Sequence, residues 1–341
     1  VAKKDMQLKA EQLKKIIESS KSMLILMQDN PDPDSIAAAT ALRKLANALG
    51  DIKCTIAHGG TVGRGENRAL VRYLNLNLYQ CDQVVYDKYD LIGMVDTQPG
   101  TGNNSLPENI AVDIVFDHHP MKKQTRSAKF SDIRSKCGAT ATILFEYLAE
   151  FNIKIDMPLA TALLYAIRSD TQDLGRETTK ADIETIENIY PIANKRMLSE
   201  IQRGSVQRDY FKMLTTALNN AYVYDNCVIS NLGEINNPDM IAETADLILR
   251  DEGIESVICY GYFQAKLLFS VRTTVSLKIA DKIANHIVAR RGTGGGHQTY
   301  AGGQIPLDRQ DASQLKKLDE VIRKKGLHIL GIKNSRGNKL I

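Results

Sequence analysis

The sequence predicts an α/β fold, with an N-terminal, mostly parallel sheet covered by helices on both faces and a smaller α/β or α+β domain behind it. Three observations predict it. Short apolar runs alternate with helical patterns through the first half, the text of a doubly covered parallel sheet. The apolar runs open into turns rich in aspartate. A polar helical stretch around 190–207 then separates this half from a strand-rich second half.

The elements follow in order. Met23–Met27 is a short apolar run and reads as a buried strand. After Asn30-Pro31-Asp32-Pro33-Asp34, Ser35 can cap a helix with Ile36, Ala39, Leu42 and Leu45 at helical spacing. Ile52–Ala57, Asp90–Val95 and Val112–Phe116 read as further strands, and Gly138–Glu150 and Pro158–Arg168 as helices. In the second half, Val228–Ser230, Val257–Tyr262 and Leu267–Arg272 read as strands, with helical patterns over Ile241–Arg250 and Ser276–Arg290. The expected division is a first domain over 1–195, a linker over 196–212 and a second domain over 213–341. The lysine-rich end (Lys333, Arg336, Lys339) reads as a frayed, solvated tail.

Composition narrows the function classes. A chain of 341 residues has room for two cores. A formal net charge of +4 is mild, so attraction for anions must be local, inside a cleft. Five scattered cysteines fit neither a disulfide framework nor a thiolate zinc site and favour the reducing cytoplasm. No apolar run reaches the length of a membrane span, so no membrane partner is expected. With no Trp and 6% aromatic residues, a long base-stacking platform is not expected. The chain starts at Val1 rather than Met, which leaves room for a preceding native segment.

The chemistry concentrates in four acidic turns. They are Asp32-Pro33-Asp34, Asp96-Thr97, Asp117-His118-His119-Pro120 and Ser169-Asp170-Thr171. In a parallel sheet, ligands bind outside the carboxyl ends of the strands, where Asp32, Asp34, Asp96, Asp117 and His118 are expected to converge. Several carboxylates in one cleft repel one another unless a cation neutralises them. Oxygen donors with one or two imidazoles suit Mn²⁺ or Mg²⁺ better than a thiolate-seeking ion. Two such ions about 3.5–4 Å apart can clamp a phosphoryl group and activate water for in-line attack. Taken singly, each turn is an ordinary loop or helix cap.

Together with Gly294-Gly295-Gly296-His297 and the following Gln298-Thr299-Tyr300-Ala301-Gly302-Gly303, the four turns resemble the DHH phosphoesterase family with its associated C-terminal domain, most of all its NrnA type. The resemblance implies an active-site cleft between two domains. It implies that Asp32 holds a first metal, Asp34 a second, and that Asp96 bridges them, with His118 and Asp170 completing the second. It places His119 on the substrate phosphate and Asp117 behind a histidine as its orienting partner. The family opens its first motif with a histidine where this chain has Gln28, so Gln28 is the doubtful ligand of the first metal.

On the same resemblance, Gly294, Gly295, Gly296 and His297 hold the substrate's phosphate. The glycine-dense stretch reads as a loop whose backbone N–H groups can form an anion nest. Arg272 is a further candidate phosphate contact because guanidinium binds phosphate bidentately. Gly63–Arg68 reads as a polar helix start, with Arg64 and Asn67 as possible lining, and Thr140 and Thr142 as an ordinary helix start. The implied activity is metal-dependent hydrolysis of short oligonucleotides or of the nucleoside bisphosphate pAp. A cyclic- or linear-dinucleotide phosphodiesterase is the alternative within the enzyme class. A nucleotide-binding sensor that has lost turnover, motivated by Gln28, is the alternative of another class. A homodimer is compatible with the sequence, which carries no feature that demands one.

Overall fold

The computed structural model describes residues 3–274, 276–307, 312–334 and 336–341. The chain divides into two compact units, Val1–Ser205 and Val206–Ile341.

In the first unit, helix α1 (Lys3–Glu18) precedes strand β1 (Ser22–Leu26), helix α2 (Pro33–Gly50), β2 (Lys53–His58), α3 (Gly65–Tyr73) and β3 (Leu78–Gln80). Strands β4 (Leu91–Val95), β5 (Ile114–Asp117) and β6 (Phe130–Ile133) follow, then helices α4 (Thr140–Glu150), α5 (Met157–Asp170), α6 (Lys180–Ile189) and α7 (Lys195–Gln202). The six strands are all parallel, in the order β3-β2-β1-β4-β5-β6. This order reverses direction between β1 and β4, and the crevice above such a reversal is where open α/β sheets bind ligands.

Local sequence explains the elements that matter. Asp32 caps α2, accepting a hydrogen bond from the Ser35 amide at 2.9 Å, and Pro33 supplies the preset first turn. The alanine-rich run 37–41 leaves α2 thin enough to be buried between the sheet and helices α4 and α5. Helix α5 starts in the same way, from an Asp156 cap on the Leu159 amide at 3.0 Å. Strands β4 and β5 are buried along their whole length, as expected of the centre of a doubly covered sheet. Helix α7 belongs to this unit, so residues 196–202 are a packed helix rather than connecting chain. The unit's last residues lie on the start of α3. A methyl group at Gly204 would come within 2.2 Å of the Gly65 backbone, and one at Gly65 within 2.8 Å of the Ser205 carbonyl.

The second unit comprises α8 (Arg208–Asn219), β7 (Ala221–Tyr224), β8 (Cys227–Glu234), α9 (Asp239–Ile248), β9 (Ser256–Phe263), β10 (Lys266–Thr273) and α10 (Ala280–Val288). It ends with β11 (Thr293–Gly296), β12 (Tyr300–Pro306), α11 (Ala312–Ile329) and β13 (Asn338–Lys339). Its mixed sheet runs β11-β12-β10-β9-β8-β7-β13, with apolar clusters on both faces.

Two sequence expectations are corrected here. The glycine-dense 294–296 is an edge strand, not a loop: Gly294 pairs with Gly303 and Gly295 with Gly302, because β12 offers a backbone partner that the sequence pattern hides. The chain end is not wholly frayed. Lys339 pairs with Tyr222 on β7, and the Leu340 amide donates to the Ala221 carbonyl at 3.0 Å. All five cysteines are free thiols. Among the described residues no helix is long and apolar enough to cross a membrane.

Candidate metal centre

The loops leaving β1, β4 and β5 converge above the carboxyl edge of the parallel sheet. Asp96 follows β4 directly, 2% exposed, with its backbone in the left-handed region at φ 56°. That conformation costs a non-glycine residue of order 1 kcal/mol or more. It is held by the bond from the Asp96 amide to the Phe116 carbonyl, 2.9 Å. Asp117 is the last residue of β5, fully buried, and His118 stands beside it at 5% exposure.

Asp34 occupies the first turn of α2 but spends its carboxylate on another helix. Its oxygens accept from the Thr140 amide at 2.7 Å and the Ala141 amide at 2.8 Å, the first turn of α4. A helix N-terminus is a favourable seat for negative charge. The Thr140 hydroxyl reaches Asp96 at 3.3 Å, so this threonine serves the site as well as starting a helix. Asp170 closes α5 and is half-buried; Arg176 from the following loop donates to its carbonyl at 2.9 Å.

Two donor sets result. Asp34, His118 and Asp170 offer ligand atoms within 4.8 Å of one another, and so do Asp96, His118 and His119. His118 Nε2 lies 3.3 Å from Asp170 and 3.6 Å from Asp96. Its Nδ1 lies 3.1 Å from the Cys137 carbonyl, which can only accept, so the proton sits on Nδ1 and Nε2 faces the carboxylates. Asp117 does not hold His118. It accepts from the His119 amide at 3.1 Å and from His119 Nδ1 at 2.8 Å.

Among the described residues Asp32 belongs to neither set. Asp32 is half-buried and committed to its cap. The Gln28 amide nitrogen approaches Asp96 at 3.4 Å, while its oxygen accepts from Asn103 at 3.5 Å. In this arrangement Gln28 presents a donor to Asp96. Asn67 is buried and donates to the Pro31 carbonyl at 3.0 Å, which steadies the first acidic turn, and Arg64 pairs with Glu66 at 3.9 Å.

The electrostatics are those of a cation site. Burial, then the charge of Asp170, raises Asp34 to about 7. Asp96 is raised well above the ordinary carboxylate value by burial and by its neighbours Asp32 and Asp34. Asp32 is raised by burial and by Asp170. Burial opposes a charge on His118, yet the hydrogen bond and charge of Asp170, with Asp34 and Asp117, push it up to about 10. Burial would also raise Asp117, but hydrogen bonds and charge from His119, with Gln98, hold it below the ordinary value. Hard oxygen donors that cannot all ionise together, joined by an imidazole in the ligating tautomer, fit a divalent ion of the Mn²⁺ or Mg²⁺ kind.

The second unit's expected residues also gather. His297 stacks on Tyr300 at 4.5 Å between ring centroids, and the Arg272 guanidinium lies 5.9 Å over the Tyr300 ring. Arg272 also bonds Asp246 of α9 and the Ser270 hydroxyl. Gly296, at φ 142°, takes a backbone geometry that only glycine adopts readily and leads the edge strand into this turn.

Sequence reasoning missed Gln98 and Asp182. Fully buried Asp182 caps α6 from its first turn and binds the Gly138 amide at 3.0 Å and the Thr142 hydroxyl at 2.6 Å, fixing the approach to α4. The capping-box spacing Thr179–Asp182 was the available signal. For Gln98 there was none beyond its nearness to Asp96.

Known proteins share both units. The DHH family N-terminal domain matches residues 22–167 and the DHHA1 domain residues 222–324. The uncharacterized protein MJ1633 of Methanocaldococcus jannaschii is 36% identical over 94% of this chain and 67% of its own length. The cyclic-di-AMP phosphodiesterase GdpP of Bacillus subtilis is 23% identical over 86% of this chain and 46% of its length. The manganese-dependent inorganic pyrophosphatase of the same organism is 27% identical over 50% of this chain and 55% of its length. The chain thus spans about half the length of these last two. Among solved structures, an exopolyphosphatase-related protein from Bacteroides fragilis superposes with a TM-score of 0.73 over 95% of this chain and 98% of its own, at 13% identity.

Proposed function

Because the chain belongs to the DHH family of phosphoesterases, we propose that it hydrolyses phosphoester bonds of short oligonucleotides or of the nucleoside bisphosphate pAp, with divalent metal ions at the acidic cluster. The observation that carries this reading is the convergence of Asp34, Asp96, His118 and Asp170 from four separate elements on one edge of the parallel sheet. Divalent ions held there would supply positive charge to the phosphoryl oxygens and acidify the attacking water.

This chain's residues divide the remaining work. Asp34, His118 and Asp170 would hold one ion, Asp96 would serve both, and Asp32 with Gln28 would hold the other. His119, braced by Asp117, would meet a phosphoryl oxygen. In the second unit His297, Gly294, Gly295, Gly296 and Arg272 would bind phosphate; Arg272 offers it charge while Asp246 bonds the guanidinium. Manganese is the first choice of ion, supported by the manganese-dependent relatives, with Mg²⁺ second. Five free thiols support action in a reducing cytoplasm.

A second reading, a cyclic- or linear-dinucleotide phosphodiesterase, draws on the likeness to GdpP across most of the chain. The test compares a 5′-phosphorylated dinucleotide, pAp, a cyclic dinucleotide and pyrophosphate on metal-stripped protein given Mn²⁺ or Mg²⁺. Fastest turnover of the linear dinucleotide or pAp is expected. Fastest turnover of the cyclic dinucleotide would select the second reading. Nucleotide binding with no turnover of any substrate would make the protein a sensor and overturn both.

A further inference from the structure

Gln98 lies two residues past Asp96, is fully buried, and uses its whole amide. Nε2 donates to Asp117 Oδ2 at 2.7 Å and to the Pro120 carbonyl at 3.2 Å, with the His119 carbonyl at 3.5 Å. Oε1 accepts from the Lys122 amide and from the Thr125 hydroxyl, both at 2.8 Å. The orientation of this amide is forced. Carboxylates and carbonyls only accept, and a backbone N–H only donates, so nitrogen must face Asp117 and oxygen must face Lys122. A glutamate would set oxygen against oxygen at Asp117. A methionine would leave Asp117 and Thr125, both fully buried, without their bonds to this side chain, each loss costing roughly 1–3 kcal/mol.

The clasp is itself held. The Gln98 carbonyl accepts from the Thr101 hydroxyl at 2.8 Å and from Asn104 Nδ2 at 3.0 Å, so the loop leaving β4 grips the loop leaving β5 through one side chain. What lies beyond Asp117 is His119. Oδ2 of Asp117 takes the Gln98 donor, which leaves Oδ1 for His119 Nδ1. A carboxylate accepting from Nδ1 fixes the ring in the Nδ1–H tautomer and leaves Nε2 for further chemistry. His119 is the more open histidine of the pair, its side chain 37% exposed against 5% for His118.

We propose that Gln98 is a positioning residue for the phosphoester reaction: through Asp117 it fixes the tautomer and aim of His119, and so governs how the phosphoryl group is held. The inference rests on the hydrolase reading for its kinetic consequence, and on geometry alone for the tautomer.

The experiment uses the full-length protein loaded with Mg²⁺ and carries two readouts. Gln98→Glu keeps the acceptor for Lys122 and Thr125 and replaces the donor that faces Asp117 and the Pro120 carbonyl; Gln98→Met is the second variant. Long-range ¹H–¹⁵N spectra of ¹⁵N-histidine protein should show the Nδ1–H form of His119 in the wild type and a mixture of tautomers in either variant. Steady-state kinetics on the best substrate should show kcat falling about 10- to 100-fold, the range for partners that orient site residues, with KM moving less. In a His119→Ala background the same substitution should cost less than about 2-fold, since groups acting as one unit are non-additive. An unchanged His119 spectrum in both variants would overturn the proposal. So would an equal loss of kcat with and without His119, which would mark Gln98 as scaffold only. If the wild type turns over no substrate, the hydrolase reading fails, and the spectra still decide whether Gln98 sets the ring.

Discussion

His118 Nε2 lies 3.3 Å from Asp170 Oδ2, joining the end of strand β5 to the end of helix α5. Asp170, with Asp34 and Asp117, favours a proton on His118, in a pocket that also holds Asp96. A divalent ion would take over the role of the proton. It would draw on the same Nε2 and the same oxygen, so loading and deprotonation are one event.

Removal of a central carboxylate tests the site directly. Asp170→Asn and Asp96→Ala should each lower turnover by at least about 10²-fold, the scale of losing one electrostatic contributor. Circular dichroism should stay native, and bound metal should fall when measured by mass spectrometry after desalting. Near-wild-type turnover in pure Asp96→Ala would remove Asp96 from the reaction.

The pKa shifts fix the sign of a pH effect. Asp34 rises from an ordinary 3.8 to about 7, and His118 from 6.5 to about 10. In each window the native state binds more protons than the unfolded chain, so stability falls as pH rises. Asp117 and Asp132 are shifted down and act at more acidic pH. Metal-stripped protein should therefore melt lower at pH 8 than at pH 5.5, and added Mg²⁺ should raise the melting temperature more at pH 8. A melting temperature that climbs with pH in the stripped protein would contradict the clustered-acid account.

Gln28 can be probed by making it a ligand. Gln28→His would replace the amide that approaches Asp96 at 3.4 Å with a neutral imidazole donor. The variant should bind Mn²⁺ more tightly, by about tenfold or more in calorimetry, the scale of a single coordination-sphere change. Equal affinity would place residue 28 outside the coordination sphere.

A stability prediction lies away from the site. Buried Asp132 accepts from Lys9 at 3.0 Å, from Arg134 at 2.7 Å and from Tyr147 at 2.9 Å. Asp132→Ala leaves Arg134, whose side chain is only 13% exposed, with Glu146 as its remaining acidic partner. The variant should lose about 3–5 kcal/mol in chemical denaturation, as for other broken buried pairs. A loss below about 1 kcal/mol would show that Arg134 finds water or Glu146 sufficient.

Much of the first unit was legible because its signals are local. Apolar runs such as Met23–Met27 and Val112–Phe116 name buried strands, and the Asp32-Pro33 start names a helix. Those elements carry Asp34, Asp96, His118 and Asp170 to one sheet edge. The illegible parts depend on distant partners. Strand β11 is read as a loop until β12 supplies its ladder, and Tyr222 supplies the partner of Lys339. Gln98 looks like any polar residue in a turn, because its meaning comes from Asp117 and Lys122, brought to it by the fold. The histidine that Asp117 touches is His119, a pairing that the adjacency of Asp117, His118 and His119 in the sequence does not single out.

The meeting of Gly65 and Gly204 has a consequence for heredity. Neither glycine sits in a positive-φ turn, so each looks replaceable when considered alone. Their backbones nonetheless touch, and a single methyl on either would push the start of α3 off the close of the first unit. Across descendants of this sequence the two positions should therefore drift as a couple, a side chain arriving at one only after the surrounding backbone has yielded at the other. A glycine that looks like mere linker would carry half of a two-part inheritance.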